Sequence, residues 1–178
     1  MVDFKLDIMV EQVNIDISIK LDNVSLEGGV YMFLLDEIPL YIGEANIFLS
    51  RLTYHLYELK SNKAYFGFEN LEGNHKITYI ILNGKLPYDK IQKNENLKRA
   101  TDKNRIERVR IQNTFIEKYR PMTQKPIFND KELAKLRANR KDAMIKDGKT
   151  KSKIIKYILN NKEDYKEIIE KIKNKDYR

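Results

Sequence analysis

Apolar residues recur at every second position near the start of the chain. The segments FKLDIMV and VNIDISIKL, within residues 4–26, alternate apolar and polar side chains as half-buried β-strands do. The sequence EGG then interrupts the pattern. VYMFLL and LYIG, on either side of DEIP, indicate two further strands, and KITYIIL indicates another. The pattern therefore predicts two N-terminal strands, a hairpin and one later strand.

Helical spacing of apolar residues appears in the intervening and C-terminal stretches. A helix is predicted from Ile47 to about Lys60, and another from about Lys98 to Tyr119, because Pro121 disfavours helix in the residue before it. Beyond residue 129 the chain is highly charged, and TKSKIIKYILNN and EDYKEIIEKIK each carry an apolar stripe. The apolar stripe of the first helix is predicted to consist of four leucines, Leu49, Leu52, Leu56 and Leu59.

The segments between these elements leave two interpretations open. Residues 61–74 read as a loop, with space for one short strand. The C-terminal helices are either a small appendage or part of a helix-turn-helix unit, which would need a further recognition helix. We expect the appendage, because the sequence shows no such helix.

Composition narrows the class of protein. The chain has 178 residues, 42 % of them hydrophobic, which supports a modest globular core. It contains no cysteine and two histidines, so disulfides and thiolate or His-rich metal sites are excluded, and a divalent ion would need oxygen ligands. No apolar run approaches the roughly 18 residues of a membrane span, and no secretory signal is evident. We therefore expect a cytoplasmic protein with no membrane partner.

The positive charge of the chain is concentrated toward its end. Residues 1–129 hold 18 Lys and Arg against 17 Asp and Glu, whereas residues 130–178 hold 16 against 9. Such asymmetry favours a polyanionic partner, most simply nucleic acid. A base composition rich in A and T, which inflates lysine and asparagine, would give the same excess without a partner.

Two tyrosines, an arginine and a histidine are placed to converge. With a three-residue hairpin loop, residues 36–38, Tyr31 and Tyr41 fall on one face of the sheet, one diagonal step apart. Arg51 and His55 are four residues apart and stack on one helix face, at the polar margin of the leucine stripe. Phenols beside a planar guanidinium suit a phosphodiester. Taken singly, aromatic residues in strands usually serve packing, and an arginine or histidine on a helix is usually solvated.

The order and spacing of these residues resemble the GIY-YIG nuclease superfamily. GVY is followed by nine residues and YIGEA, with Arg51 ten residues after Tyr41 and His55 four further on. The resemblance covers about Gly28 to Asn129, including KITYIIL and a later helix followed by YRP. It implies an α+β fold with a small antiparallel three-stranded sheet flanked by helices, here with an N-terminal β extension and a C-terminal helical extension.

The resemblance also implies an activity and a role for each matching residue. Family members, which include restriction and homing endonucleases, hydrolyse double-stranded DNA with a single Mg²⁺ or Mn²⁺. Tyr31 would be the general base or would orient the attacking water, and Tyr41 would hydrogen-bond near the nucleophile. Arg51 would stabilise charge on the scissile phosphate. His55 would contact that phosphate or assist Tyr31, because a phenol of ordinary pKa near 10 needs help to lose its proton.

The position of the metal-binding glutamate departs from the family pattern. It lies eight residues before Arg120, where this chain has Gln112. Neighbours at helical spacing predict that this side chain points inward, so its polar group needs a partner. Gln112 still offers a carbonyl oxygen to a metal but lacks the charge. Losing that Coulomb attraction costs several kcal/mol at an effective dielectric of ~20, so we expect weaker activity by orders of magnitude.

Two explanations of the glutamine remain. Either a Glu→Gln substitution was introduced to trap intact substrate, or the chain is a natural member that binds without cutting; the four intact site residues favour the first. The family asparagine that follows the proline falls at Gln124, and Asn129 fills that role only if the intervening loop folds back.

Together these observations predict an endonuclease with an accessory tail. Residues 1–129 form the nuclease domain and residues 130–178 a basic helical extension that grips the duplex backbone, while the 61–74 loop reads bases. The compact size favours a restriction-type or phage-borne enzyme. Such enzymes commonly act as homodimers, although the sequence identifies no dimer surface. The rival interpretation is a non-catalytic nucleic-acid-binding protein on the same scaffold, and a basic structural protein is a third.

Overall fold

The computed structural model describes residues 2–10, 13–21, 27–61, 66–69, 71–86, 98–125 and 148–176. Within these ranges, side-chain surroundings are described for 27–59, 61, 66–69, 71–84, 105–125 and 148–176. The strands are β1 (Val2–Val10), β2 (Val13–Leu21), β3 (Gly28–Leu35), β4 (Ile38–Ala45) and β5 (Gly73–Leu86). The helices are α1 (Phe48–Ser61), α2 (Lys98–Tyr119), α3 (Gly148–Asn160), a 3-10 helix (Lys162–Tyr165) and α4 (Lys166–Lys173).

The sheet confirms the predicted α+β class. Strands β5, β3 and β4 form an antiparallel sheet in that order, with β3 in the centre and β4 at the edge. The two N-terminal strands extend this sheet, because β1 pairs antiparallel with β2 and β2 pairs parallel with β5. The complete order is β1-β2-β5-β3-β4. Apolar alternation along each strand therefore supplies two faces that helices can cover.

The β3–β4 hairpin is tighter than the sequence predicts. Asp36 and Glu37 have φ values of 49° and 74°, and Leu35 pairs with Ile38 across them. Two successive left-handed residues are typical of a two-residue turn that matches strand twist. The expected three-residue loop was wrong. The predicted placement of Tyr31 and Tyr41 on one face is nevertheless confirmed, because the register shifts after Phe33 and Phe33 pairs with Tyr41.

That register shift changes which side chains of β4 share a face. Phe33 pairs with Tyr41 and Leu34 with Pro39, so Leu40 is an extra residue in β4. Both Leu40 and Tyr41 consequently lie in the same buried cluster. A bulge of this kind re-aims one side chain without breaking the strand, and here it brings Tyr41 onto the face of Tyr31.

Two hydrophobic cores lie on opposite faces of the sheet. The first core contains Tyr31, Phe33 and Tyr79 from the strands and is covered by α1 and α3. The second contains Val30, Met32 and Ile42 and is covered by α2 and α4. Helix residues that complete the first core are Phe48, Leu52, Leu59 and Ile155, and those of the second are Ile116, Tyr119, Ile168 and Ile172.

The leucine stripe of α1 is displaced at its beginning. Leu52 and Leu59 are buried as expected, and Leu56 is partly buried against the first core. Leu49 is 40 % exposed, however, and Phe48 takes its place in the core at 1 % exposure. The stripe therefore begins on the first residue of the helix, one position before the predicted leucine.

The C-terminal helices pack against the sheet rather than standing apart from it. Ile155 of α3 is fully buried in the first core, while Ile168 and Ile172 of α4 lie in the second. A Cβ added at Gly67 would overlap Lys151, so α3 also passes close to the backbone of the 66–69 segment. The division of the chain at residue 129 stays a prediction, and residues 126–147 lie outside the described ranges.

None of the helices that the structure describes combines the length and apolar character required to cross a bilayer.

Burial of α3 gives a direct stability test of its place in the core. Replacing Ile155 by alanine should lower the free energy of unfolding by about 2–5 kcal/mol, because a buried branched side chain leaves a cavity. Tyr157→Ala on the same helix should change it by less than about 0.5 kcal/mol, because that ring is exposed. Urea denaturation measures both. Equal, small effects would mean that α3 contributes nothing to the core.

Candidate active site

Tyr31 and His55 share a buried hydrogen bond. The Tyr31 hydroxyl lies 2.5 Å from Nε2 of His55. Tyr31 comes from the central strand β3 and His55 from the middle of α1, two turns after Phe48 anchors that helix in the core. Their side chains are 0 % and 1 % exposed. The sequence pattern therefore brings a phenol and an imidazole together inside the molecule.

Aromatic rings surround this pair on several sides. Tyr79 stacks on Tyr31 with ring centroids 5.3 Å apart, and Tyr41 lies 6.2 Å from Tyr31 and 5.3 Å from His55. Phe33 and Phe66 contact the imidazole edge-on or tilted, at 5.3 and 5.6 Å. Close-packed rings hold the two polar groups in one geometry. Residues 66–69, expected to belong to a base-reading loop, thus contribute core aromatics instead.

The imidazole of His55 is kept neutral by its surroundings. Burial and, to a smaller extent, the Arg51 guanidinium lower the pKa of His55 from 6.5 to about 3. Sequence spacing had placed His55 at the polar margin of α1, which was wrong, because the helix turns this residue into the first core. A neutral imidazole of so low a pKa is a weak base. Burial likewise raises the pKa of Tyr79, which stays a neutral phenol.

Arg51 is the exposed member of the group. Its guanidinium carbon lies 6.0 Å from the centroid of the Tyr54 ring, a cation–π arrangement on the surface of α1. Its charge reaches His55, since it contributes to the lowered pKa. Tyr41 is 4 % exposed, so of the four residues Arg51 is the one whose side chain is exposed. Tyr31 is buried beneath the surrounding rings.

Gly43 makes space for the Tyr31 hydroxyl on the edge strand. Tyr31 pairs with Gly43 across β3 and β4, and a Cβ added there would overlap both the Tyr31 hydroxyl and its ring. Any larger residue would push the phenol away from His55. The glycine of YIGEA thus has a steric role in the site.

Two glutamines bind the backbone of the same edge strand one residue earlier. Nε2 of Gln112, on α2, donates to the Ile42 carbonyl at 2.9 Å, and Nε2 of Gln124 donates to the same oxygen at 2.8 Å. Oε1 of Gln124 accepts from the Ile42 N–H at 2.6 Å. Gln112 is 7 % exposed, which confirms the predicted inward orientation. These side chains hydrogen-bond the backbone N–H and carbonyl groups of Ile42, which would otherwise be unpaired at the edge of the sheet.

The segment after α2 covers the rest of this edge. The Met122 N–H donates to the Pro39 carbonyl at 2.9 Å, and the Thr123 N–H donates to the Leu40 carbonyl at 3.2 Å. Gln124 occupies the family's asparagine position and already bonds the strand. Asn129, the substitute proposed from the sequence, lies outside the described residues.

The two parts of the candidate site meet across one stretch of backbone. Tyr31, Tyr41, His55 and Arg51 belong to the α1 side of the sheet, whereas Gln112 approaches from the α2 side. The two parts meet at the edge strand β4. Gln112 hydrogen-bonds the Ile42 carbonyl, and the Tyr31 hydroxyl lies against the following residue, Gly43. The site therefore straddles β4.

Sequence reasoning missed an ion-pair cluster next to Gln112. Glu44 bonds Arg105 at 3.3 Å and Arg108 at 3.0 Å. The Arg108 side chain is 2 % exposed and that of Glu44 11 %, so this is a largely buried carboxylate held by two guanidinium groups. Arg108 lies one turn before Gln112 on the same face of α2, a spacing that the sequence does contain.

The residues present do not fit a divalent ion at this position. The NH₂ group of Gln112 points at the Ile42 carbonyl oxygen. It therefore occupies the position that a cation bound to this carbonyl oxygen would take. Glu44, the nearest carboxylate along the edge strand, is engaged by two arginines. Among the residues that the structure describes, no group of three or more His, Cys, Asp or Glu could hold a metal. The amide hydrogens take the place of the cation.

The chain matches no family model, no curated protein and no solved structure. The resemblance to GIY-YIG nucleases therefore rests on the motif residues in the sequence.

Substituting Gly43 tests how tightly the phenol is held. Gly43→Ala should lower the free energy of unfolding by about 1–3 kcal/mol, because the added methyl overlaps the Tyr31 ring. In a Tyr31→Leu background the same substitution should cost less, since the ring is absent. Chemical denaturation of the parent, the two single variants and the double variant gives the coupling free energy between Gly43 and Tyr31. Additive effects would show that Gly43 and Tyr31 are independent.

The depressed pKa of His55 predicts a pH dependence of stability. The unfolded chain takes up a proton near pH 6.5 and the folded chain only near pH 3, so the free energy of unfolding falls as pH drops through this range. The slope from this group approaches about 1.4 kcal/mol per pH unit. His55→Gln should flatten the curve between those limits. NMR titration of the imidazole protons provides the direct measurement, and a midpoint above pH 6 would contradict the burial argument.

Proposed function

We propose that this chain is a DNA-binding protein with a GIY-YIG endonuclease site whose phosphodiester cleavage is weakened or lost through Gln112. The observation that carries the proposal is the Tyr31–His55 hydrogen bond, with Tyr41 against it and Arg51 at the adjacent surface. Packing alone does not require a polar pair inside an aromatic core, because burying unneeded polar groups is unfavourable.

The roles of the residues follow from their surroundings. Arg51 presents a permanent cation to a phosphate at the surface of α1. His55, being neutral, shares a hydrogen bond with Tyr31 and fixes the direction of its hydroxyl. A buried imidazole with a pKa of about 3 is too weak a base to take a proton from water near neutral pH, so the site as it stands supports binding and orientation more than cleavage.

The positive charge of the chain supports nucleic acid as the partner. The net charge is +8, and the excess lies mainly in residues 130–178. These basic residues would contribute affinity that is independent of nucleic-acid sequence and weakens with salt. Double-stranded DNA is the substrate class that the motif implies.

A second candidate is a non-catalytic binding protein on the same scaffold. The bond from the Gln112 amide to the Ile42 carbonyl favours it, because a carboxylate in the same place would face a carbonyl oxygen, another acceptor. The glutamine is thus well adapted to its neighbours in the absence of a cation. Both candidates bind DNA, and only the first regains cleavage when the charge is restored.

Restoring the carboxylate separates the two candidates. Gln112→Glu should raise cleavage of supercoiled plasmid by about two orders of magnitude or more with Mg²⁺ or Mn²⁺, because one close charge interaction is regained. Gel analysis of nicked and linear products measures the rate. Tyr31→Phe in the Gln112→Glu background is the matched control and should abolish the gain.

Other outcomes of this experiment decide against the enzyme. If Gln112→Glu binds DNA as the parent does yet never cuts, the binding protein is the correct interpretation. If Tyr31→Phe leaves the gain intact, the cleavage does not arise from this site. A cytoplasmic location, a homodimer and a restriction or phage role stay predictions.

A further inference from the structure

The outward face of α1 differs in character from the rest of this highly charged chain. Charged residues make up 34 % of the sequence. Among the α1 residues whose side chains the structure describes, only one of the exposed residues is charged, and it is Arg51. The exposed residues are Leu49, Ser50, Arg51, Thr53, Tyr54, Tyr57 and Ser61.

Two tyrosines on this face present their rings to solvent. Tyr57 is 67 % exposed and Tyr54 is 46 % exposed. They lie three residues apart, within about 60° of each other around the helix, so they share one side of it. The Tyr54 ring also contacts His55 edge-on at 5.8 Å, so Tyr57 is the more exposed of the two. Large exposed aromatic rings that lie side by side on a helix are common at binding surfaces.

The tyrosines are continuous with the phosphate-facing cation. The Arg51 guanidinium lies over the Tyr54 ring, 6.0 Å from its centroid. Tyr57 lies about 9 Å beyond Arg51 along the helix axis and about 120° around it, with Tyr54 midway, so the three side chains follow one strip across the surface of α1. A strand whose phosphate contacts Arg51 would therefore carry a neighbouring base over Tyr57.

We propose that Tyr57, with Tyr54, forms a stacking platform for an unpaired base, so that the preferred ligand is single-stranded or locally unpaired nucleic acid. The inference rests on the proposed nucleic-acid function but departs from the intact duplex that the motif implies, because it names a single or locally unpaired strand as the preferred substrate class. In a duplex each base is covered above and below by its neighbours, so its face cannot reach Tyr57 without unstacking. A free strand exposes that face, and every base can stack on a tyrosine.

Charge complementarity favours a nucleic acid over a protein on this face. The exposed residues named above carry one cation and no anion, in a chain of net charge +8. Ser50 lies one turn before Tyr54, and Thr53 lies beside it in the sequence. Their hydroxyls are suited to hydrogen-bond sugar and phosphate oxygens. A second copy of the chain would bring its own Arg51 and its own positive charge to the same surface.

Fluorescence anisotropy of the full chain tests the platform. The probes are a labelled single DNA strand of about 16 nucleotides, the RNA strand of the same sequence, and the blunt DNA duplex, all at one salt concentration without divalent metal. Tyr57→Ala should weaken single-strand binding about tenfold and duplex binding by less than about twofold. The RNA and DNA arms identify which strand chemistry the platform prefers.

Two variants serve as controls. Tyr57→Phe should bind the single strand within about twofold of the parent, because the stacking ring remains. Tyr157→Ala removes a tyrosine of similar exposure, 63 %, from α3 and should leave both affinities unchanged. Since both positions are exposed, the variants should fold as the parent does, and circular dichroism checks this.

The remaining outcomes overturn the platform, and Arg51→Ala shows whether the proposed function falls with it. Equal losses for strand and duplex, or no loss with Tyr57→Ala, would exclude stacking on this residue. If Arg51→Ala still lowers the affinity for both the strand and the duplex, the phosphate site stands without the platform. If Arg51→Ala changes neither affinity, both proposals fail. A parent dimer that Tyr57→Ala dissociates in sedimentation would identify the face as a contact between copies.

Discussion

The backbone of β4 at Ile42 and Gly43 is the constraint on which the candidate site depends. On one side the Ile42 carbonyl accepts from two glutamine amides, which close an otherwise open strand edge. On the other side Gly43 leaves the space that the Tyr31 hydroxyl fills. Moving this short stretch would disturb both halves together, because the phenol and the glutamine amides are positioned by adjacent residues of one strand.

The chemical consequence of this arrangement is that the site residues named here leave no negative charge unpaired. Burial keeps His55 uncharged, Gln112 supplies dipoles where the nuclease pattern has a carboxylate, and Glu44 is matched by two arginines. A buried carboxylate at position 112 would be stable only with a cation beside it, since unpaired buried charges are costly. These residues therefore satisfy one another without a metal, while Arg51 places a positive charge at the surface of α1.

Much of this arrangement follows from local pattern in the sequence, and the rest depends on packing. Period-two alternation located the strands, and helical spacing predicted the inward orientation of Gln112. The two-residue turn and the bulge at Leu40 were not predictable, because two different loop lengths place Phe33 opposite Tyr41. Burial of His55 was missed because its environment is set by Tyr31 and Phe33, which lie more than 20 positions earlier in the sequence, and by Phe66. The Glu44 cluster likewise joins residues more than 60 positions apart.

The central claim is that the Gln112 amide occupies the place of a cation at the Ile42 carbonyl, and Mn²⁺ binding tests it most directly. Electron paramagnetic resonance of free Mn²⁺ can be followed during titration with the parent chain and with Gln112→Glu, each without DNA. The account predicts that the parent leaves the signal unchanged and that the variant removes about one equivalent. Tight Mn²⁺ binding by the parent, or none by a folded variant, would contradict it.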